Sequence, residues 1–209
     1  MKKGIIVLVV IVLLLLWIGG TFVGHRNEMV RKREAVNAAW SQVDVVLQRR
    51  ADLIPNLVAT VSGAANFEKS TLTEITTARA SVGQVKIDPN KAPGDPASLA
   101  AFDQAQGQLS SALSRLLVVV ERYPDLKATE NFRELQAQLE GTENRISVER
   151  RDFNTAVQNF NTAIKSFPAV FYAGAFGFHD KPYFAATAGA ENPPKVQFDF
   201  NKPAAATNP

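Results

Sequence analysis

The sequence FRELQAQLEGTENRISVERRDFNTAVQNFNTAIKSF, residues 132–167, carries mostly apolar side chains at intervals of three and four residues throughout its length. Eleven positions form this seam, and nine of them are apolar: Phe132, Leu135, Leu139, Thr142, Ile146, Glu149, Phe153, Val157, Phe160, Ile164 and Phe167. Such spacing predicts a single helix of about 54 Å. The seam suits packing on other helices of the same chain, which we favour, or a coiled coil with another chain.

The residues before this segment predict further helices. Two apolar stripes of helical spacing come before it, one in residues 36–61 and a shorter one in residues 72–82. Their members are Val36, Trp40, Val43, Leu47, Ile54, Leu57 and Val61, then Leu72, Ile75, Ala78 and Val82. Pro55 interrupts the first stripe, so we expect a bend or a break there, because proline removes a backbone hydrogen bond and crowds the preceding turn.

The helix boundaries are marked by turn and capping residues. Residues 85–96, VKIDPNKAPGDP, hold three prolines and a glycine and are expected to form a loop. Asp95 followed by Pro96 is a typical helix start, and Thr129 is placed to cap the helix that follows Tyr123-Pro124-Asp125. The pattern therefore predicts an all-α fold, in which residues 25–167 form an elongated antiparallel four-helix bundle.

The N-terminus carries a run of about twenty uncharged residues, GIIVLVVIVLLLLWIGGTFV, residues 4–23. A helix of that length spans the hydrocarbon core of a bilayer. A cleaved secretory leader is the alternative, but its apolar region is usually shorter and ends at a small-x-small site. We therefore expect residues 1–24 to form a single-pass transmembrane anchor that contacts lipid through residues 4–23.

The orientation of this anchor is left open by the flanking charges. Lys2 and Lys3 precede the run, whereas Arg26 and residues 31–33, Arg-Lys-Arg, follow it. Counting basic residues favours the bundle in the cytoplasm, while a basic tip before a signal-like run favours the outer face of the cell membrane. These charges alone do not decide between the two faces.

Composition excludes several classes of function for the rest of the chain. Lys2 and Lys3 are two of the 23 basic residues, so the remainder carries 21 Lys and Arg against 20 Asp and Glu. This near-neutral balance is not typical of a nucleic-acid-binding protein. The chain has no cysteine and only two histidines, His25 and His179. We therefore predict no catalytic, metal-binding or cofactor-binding residues, and a protein that is not an enzyme.

Half of the aromatic side chains lie near the C-terminus, in residues 167–200. The frequent glycines and prolines there predict an irregular segment, residues 168–200, which packs on the bundle or contacts a partner. The candidate interaction residues are Phe171, Tyr172, Phe176, Phe178, Phe198 and Phe200. Val196, Phe198 and Phe200 alternate with polar residues as in a strand that could pair with another protein's sheet edge. Residues 201–209 are expected to be disordered.

Polar residues within the predicted helices form a second candidate site. Asp52 and Asn56 are four residues apart, Asn154 and Asn161 are seven apart, and residues 143–145 interrupt the apolar seam. We favour a structural network that fixes helix register, formed by Asp52, Asn56, Glu143, Asn144, Arg145, Asn154 and Asn161. The alternative is a small ligand bound between the helices.

Several segments together resemble the LemA family. They are EAVNAAWSQVD at residues 34–44, RRADLIPNLV at 49–58, YPDLKA at 123–128, ENRI at 143–146 and the Phe-Asn-x-x-Val pattern that begins at Phe153, with related Phe-Asn residues at Phe160. The resemblance covers about residues 28–200 and implies a membrane helix followed by a long helical bundle. The family has no assigned reaction. The lipoprotein-type leaders of some relatives favour a bundle on the outer face of the cell membrane, which we adopt as the working prediction.

These observations predict a membrane-anchored, non-enzymatic scaffold or interaction protein. Its partner would be an unidentified protein or a second copy of the chain. An adaptor for a membrane protease or for envelope machinery is a second possibility. An enzyme or a ligand-binding bundle that uses Asp52, Asn56, Glu143 and Asn154 is a third, and it requires these side chains to converge on an open cleft.

Overall fold

The computed structural model describes residues 2–64, 67–85 and 87–185, and it confirms the all-α fold. The helices are α1 (Lys2–Ser62), α2 (Lys69–Gln84), α3 (Pro96–Val120), α4 (Pro124–Ala128) and α5 (Glu130–Lys165). Two 3₁₀ turns follow at Ala169–Phe171 and Gly174–Phe176, and the described ranges contain no strand. The predicted strand at residues 196–200, which includes Phe198 and Phe200, and the predicted disordered tail lie outside these ranges.

The first helix passes through Pro55, so of the two alternatives predicted there, a bend or a break, the break is wrong. Proline at this position cannot donate a backbone hydrogen bond to the carbonyl of Ala51, four residues earlier. The Nε of Arg79 on α2 donates to this carbonyl oxygen instead, at 3.1 Å. A side chain from the neighbouring helix thus replaces the missing bond, and α1 continues to Ser62.

The predicted capping residues are confirmed at two helix starts. The carboxylate of Asp95 accepts a hydrogen bond from the backbone N–H of Ser98 at 2.8 Å, and Pro96 occupies the first turn of α3. The hydroxyl of Thr129 accepts from the backbone N–H of Phe132 at 3.4 Å. Each cap satisfies a backbone donor that has no partner within its helix.

The apolar seam of α5 is two residues shorter than predicted. The helix ends at Lys165, and Phe167 lies beyond it with its side chain exposed. Most of the remaining seam is buried against other helices of the same chain. The most extensive of these helix–helix interfaces is with α1. Phe167 therefore does not pack with the rest of the seam, and its ring is exposed on the surface.

The four long helices alternate in direction. Glu143 in the first half of α5 contacts Arg50 in α1, whereas Thr162 near its end lies beside Met29, so the two helices are antiparallel. The ion pairs Glu74–Arg115 and Glu68–Arg122 show the same antiparallel arrangement for α2 and α3.

The core is divided into two clusters along α1. The cluster nearer the apolar N-terminal run contains α1, α5 and the C-terminal residues, with Trp40, Phe153, Phe160 and Phe184 among its members. The second cluster lies at the far end of the bundle, which we call the tip, and contains residues of α1, α2, α3, α4 and α5. Residues 4–17 of α1 lie outside both clusters and are exposed throughout.

Candidate functional site

The last described residues lie along α5 and are held there by two asparagines. We call residues 178–185 the strap. Asn161 donates to the carbonyl oxygen of Lys181 and accepts from its backbone N–H, both at 2.9 Å. Asn154 makes the same pair of bonds with the backbone of Phe184, at 3.1 and 2.9 Å. Each amide side chain thus satisfies one complete backbone unit of the strap.

The sequence spacing explains this match. Asn154 and Asn161 are seven residues apart in a helix, which corresponds to about 10.5 Å along its axis. Lys181 and Phe184 are three residues apart in extended chain, which corresponds to about 10 Å. The two asparagines therefore fall in register with the strap and point to the same face of α5.

A lysine of the strap also joins it to the loop between α2 and α3. The ammonium of Lys181 donates to the carbonyl oxygens of Ala92 and Pro93 at 2.9 and 3.3 Å. Burial lowers the pKa of Lys181, and the nearby positive charges of Lys91 and Arg33 add to this effect. The strap, the loop and α5 thus form one connected unit.

That loop is in turn fastened to α1. The indole N–H of Trp40 donates to the carbonyl of Asp88 at 3.1 Å, and the hydroxyl of Ser41 donates to the carbonyl of Pro89 at 2.7 Å. The side-chain oxygen of Asn37 accepts from the backbone N–H of Ala92 at 3.2 Å. Irregular backbone at this end of the bundle is therefore satisfied by side chains of α1.

A buried arginine lies at the centre of a second polar cluster. Arg50 of α1 is 1% exposed. One of its Nη atoms donates to Ser110 at 2.8 Å and to Glu143 at 3.0 Å, and the other donates to Gln106. Its Nε has no hydrogen-bond partner among the described residues. Since a buried charge must be paired, this cluster fixes the relative positions of α1, α3 and α5.

A second arginine connects this cluster to the strap. Arg150 of α5 forms an ion pair with Asp103, and its guanidinium lies 4.2 Å from the ring centroid of Phe184. Burial and the neighbouring charge of Arg50 lower the pKa of Arg150. The guanidinium groups of Arg50 and Arg150 line a cavity of about 50 Å³, which has room for only a few water molecules.

The structure distributes the seven predicted polar residues among separate places. Asp52 and Asn56 are exposed on α1, and Asn144 and Arg145 are exposed on α5. Glu143 contacts Arg50, while Asn154 and Asn161 hold the strap. The three residues with tertiary partners connect α5 to α1 and to the strap.

Sequence reasoning missed Arg50, Gln106 and Ser110. The available signal was periodicity, since Arg50 stands between Leu47 and Ile54 in the apolar stripe of α1, at intervals of three and four residues. A charged residue at such a position must be buried with partners or must interrupt the stripe. The positions of its partners on α3 depend on the tertiary packing.

The first half of the predicted interaction segment is exposed at the end of the bundle that adjoins the apolar run. We call residues 167–176 the aromatic turn. Phe167 and Phe171 are among the most exposed aromatic side chains described, and Phe176 is also exposed. Tyr172 is half-buried, and its ring lies 4.7 Å from that of Phe22 in α1. Phe178, the first strap residue, is buried.

The tip of the bundle carries an open cavity of about 640 Å³. It lies where α1 ends and α4 begins, and its lining includes Thr60, Gly63, Tyr123, Asp125, Thr129 and Asn131. The predicted YPDLKA motif at residues 123–128 therefore contributes directly to this surface. Among residues 2–64, 67–85 and 87–185, no three metal-ligating side chains are grouped.

Comparison with known proteins identifies one family and several relatives. The sequence matches the LemA family over residues 39–198. It is 28% identical to magnetosome protein MamQ 2 of Paramagnetospirillum magneticum over 188 residues, which cover 83% of this chain and 69% of that protein. MamQ of Magnetospirillum gryphiswaldense gives the same identity and coverage. Protein LemA of Metamycoplasma hominis is 26% identical over 139 residues, covering 66% of this chain and 59% of that protein.

Proposed function

The chain belongs to the LemA family, and we propose that it is a single-pass, membrane-anchored scaffold without enzymatic activity. In this proposal the bundle presents a protein-binding surface at a fixed distance from the bilayer. The partner is an unrelated membrane or envelope protein, and self-association is the alternative. The relatives named magnetosome proteins are named for an assembly rather than a reaction, which supports the same interpretation for this chain.

The observation that carries the proposal is the continuity of α1. Its uncharged residues 4–23 are long enough to cross a bilayer, and those described are nearly all exposed, whereas residues from Met29 onwards contribute to the core. One continuous helix thus contributes both to the proposed anchor and to the core of the bundle. Ser62 is 38 residues beyond Gly24, so the helix would carry the tip roughly 57 Å from the membrane.

The arrangement of polar residues supports a non-enzymatic role. An enzyme that uses Asp52, Asn56, Glu143 and Asn154 needs these groups to converge. Asp52 and Asn56 are exposed, Glu143 is paired with Arg50, and Asn154 is occupied by the strap backbone. Glu143 and Asn154 thus have partners within the bundle and the strap, whereas Asp52 and Asn56 lie on the surface of α1.

The proposal places the bundle on the outer face of the cell membrane. The basic residues after the anchor would favour the cytoplasm by number alone. Several of them have other partners, since Lys32 pairs with Glu28 and the guanidinium groups of Arg26 and Arg33 lie 6.0 and 5.5 Å from the ring centroids of Phe176 and Phe178. In this proposal the basic tip at Lys2 and Lys3 stays in the cytoplasm, as expected for a signal-like N-terminal run.

The cavity at the tip favours a more specific form of the proposal, an adaptor that docks a membrane protease or envelope machinery there. Concave surfaces with mixed apolar and polar lining are suited to binding. The tip is also the described part of the bundle farthest along α1 from the anchor, which suits contact with a partner that itself projects from the membrane.

A cysteine-accessibility and cross-linking experiment tests the proposal, because the natural chain has no cysteine. Asn131→Cys places a thiol at the tip, and Thr155→Cys places a matched thiol on the exposed flank of α5. A membrane-impermeant maleimide photocross-linker is applied to intact cells. We expect both sites to be labelled and Asn131→Cys alone to yield a stoichiometric adduct with an unrelated protein. Labelling only after lysis would reverse the orientation, and adducts only between copies would replace the adaptor by a homo-oligomer.

A further inference from the structure

Four large apolar side chains are exposed together in the aromatic turn. Phe167 and Phe171 are 81% and 80% exposed, and Val170 and Phe176 are 51% and 44% exposed. The rings of Phe167 and Phe171 pack edge to face, with their centroids 6.1 Å apart. Isolated exposed apolar residues are ordinary, but a contiguous group of this size indicates a contact surface.

The aromatic turn lies beside the last turn of the apolar run. Phe22, which is within residues 4–23, has its ring 4.7 Å from Tyr172 and 5.6 Å from Phe176. Phe167 and Ala169 line a small surface cavity together with residues of α1 from His25 to Lys32. The turn is therefore level with approximately residues 22–32 of that helix.

This level corresponds to the membrane interface if α1 spans the bilayer. The hydrocarbon core is about 30 Å thick and the whole bilayer about 40–45 Å, so each headgroup layer occupies roughly 5–7 Å. At 1.5 Å per residue, four or five residues of α1 beyond the apolar run cross this layer. The aromatic turn packs on these residues and on the next turn of α1 as far as Lys32, so its exposed rings would face the headgroups and, on the side of Phe22, the outer ends of acyl chains.

We propose that the aromatic turn is a second membrane contact, which inserts Phe167, Val170 and Phe171 into the interface of the bilayer that α1 crosses. This inference rests on the proposed anchoring by α1. Aromatic side chains are favoured at membrane interfaces, and the guanidinium of Arg26 next to Phe176 suits anionic headgroups. Two contacts on one bilayer fix the rotation of the bundle about α1, which a single helix leaves free.

Lipid is the occupant that the surface fits best, because the exposed turn is continuous with the lipid-facing side of α1 through Phe22. A helix already in the bilayer holds the turn against lipid at a high effective concentration. A second copy of the chain or a different protein would have to compete with that surface. Both of these occupants are distinguishable outcomes of the experiment below.

The test uses the full chain in vesicles of phosphatidylcholine and phosphatidylglycerol. Val170→Cys carries an environment-sensitive NBD fluorophore, and Val148→Cys, an exposed apolar site in the middle of α5, is the matched control. Leu14→Cys reports the anchor itself. We expect lipids brominated near the headgroup end of the acyl chain to quench the probe at 170, and not the probe at 148. Replacing Phe167 and Phe171 together by serine should weaken the quenching at 170 without unfolding the bundle.

The outcomes separate this inference from the proposed function. Quenching at 14 without quenching at 170 would overturn the second contact and leave the anchor intact. Failure of quenching at 14 would overturn the anchor and the inference together. A blue-shifted probe at 170 that brominated lipid does not quench would overturn the lipid contact and indicate that a protein surface covers the turn.

Discussion

The aromatic turn and the strap are consecutive parts of the same C-terminal segment, yet their phenylalanines have opposite surroundings. Phe178 and Phe184 of the strap are 4% and 6% exposed, whereas Phe167 and Phe171 of the turn are the exposed pair described above. Aromatic content therefore does not decide which part joins the core. The difference lies in α5, which offers Asn154 and Asn161 to the strap and ends at Lys165 before it can cover the turn.

A glycine separates the two parts. Gly177 has φ of +73°, a left-handed conformation that residues with a Cβ adopt only with strain. It ends the second 3₁₀ turn and directs the next residue, Phe178, back towards Phe160 in the core. The chain thus changes from a surface segment to a core segment at a single residue.

The largest expected effect is the loss of a strap ring from the core. Phe184 contacts the rings of Trp40 and Phe153 at 6.1 and 5.4 Å, so Phe184→Ala would leave a cavity among them. We expect the free energy of unfolding to fall by about 3–5 kcal/mol. Urea unfolding of the full chain in detergent, followed by Trp40 fluorescence in a Trp17→Phe background, measures this change.

The matched variant for this comparison is Phe171→Ala in the aromatic turn. It removes the same atoms from an exposed site, so we expect a change within about 0.5 kcal/mol in detergent. Equal losses for the two variants would contradict the assignment of the turn to a surface and of the strap to the core.

The sequence predicts the helices well because their signals are local. Apolar spacing located α2 and α5, and the capping residues Asp95 and Thr129 placed two helix starts correctly. The continuation of α1 through Pro55 has a tertiary cause, since the carbonyl freed at Ala51 is satisfied by Arg79 from another helix. Local rules do not include such a partner.

The candidate site was less predictable for a related reason. Asn154 and Asn161 were recognised as unusual polar residues beside a seam, but their partners are backbone groups of a segment without regular structure. Periodicity carries no information about such a segment. The division of the aromatic residues between turn and strap likewise depends on where α5 ends and on how far these two asparagines reach.

A smaller effect is expected from the asparagine that aligns the strap. Asn161→Ala would leave the N–H and carbonyl of Lys181 without their partner at a site where the asparagine itself is buried. Unpaired buried groups cost about 1–3 kcal/mol, so we expect a loss in that range, with faster proteolysis of the strap than of α5. Urea unfolding and limited proteolysis of the full chain measure the two effects.

Asn159→Ala is the control, because Asn159 is an exposed asparagine on the same helix. It should leave stability and proteolysis unchanged. If Asn161→Ala behaved like this control, the hydrogen bonds between Asn161 and Lys181 would not contribute to holding the strap, which would then depend on its rings, Asn154 and the Lys181 ammonium.

Among the strap variants, the smallest effect is expected at Lys181, whose ammonium joins the strap to the carbonyl oxygens of Ala92 and Pro93. Lys181→Met keeps the length of the side chain and the backbone bonds to Asn161 but removes the donor. Near neutral pH we expect the free energy of unfolding to fall by about 0.5–1.5 kcal/mol, the net contribution of a typical hydrogen bond.

The pH dependence gives this prediction a definite sign. Burial and the charges of Lys91 and Arg33 hold the pKa of Lys181 below its ordinary value of 10.5, so between the two values the unfolded chain binds more protons than the folded chain. Stability contributed by this group therefore increases as pH rises through that interval. The natural chain should gain stability relative to Lys181→Met as pH approaches 10.5. A relative loss over the same interval would mean that contact with the two carbonyl oxygens outweighs burial, and the strap would then be held by a favourable charge as well as by its rings and asparagines.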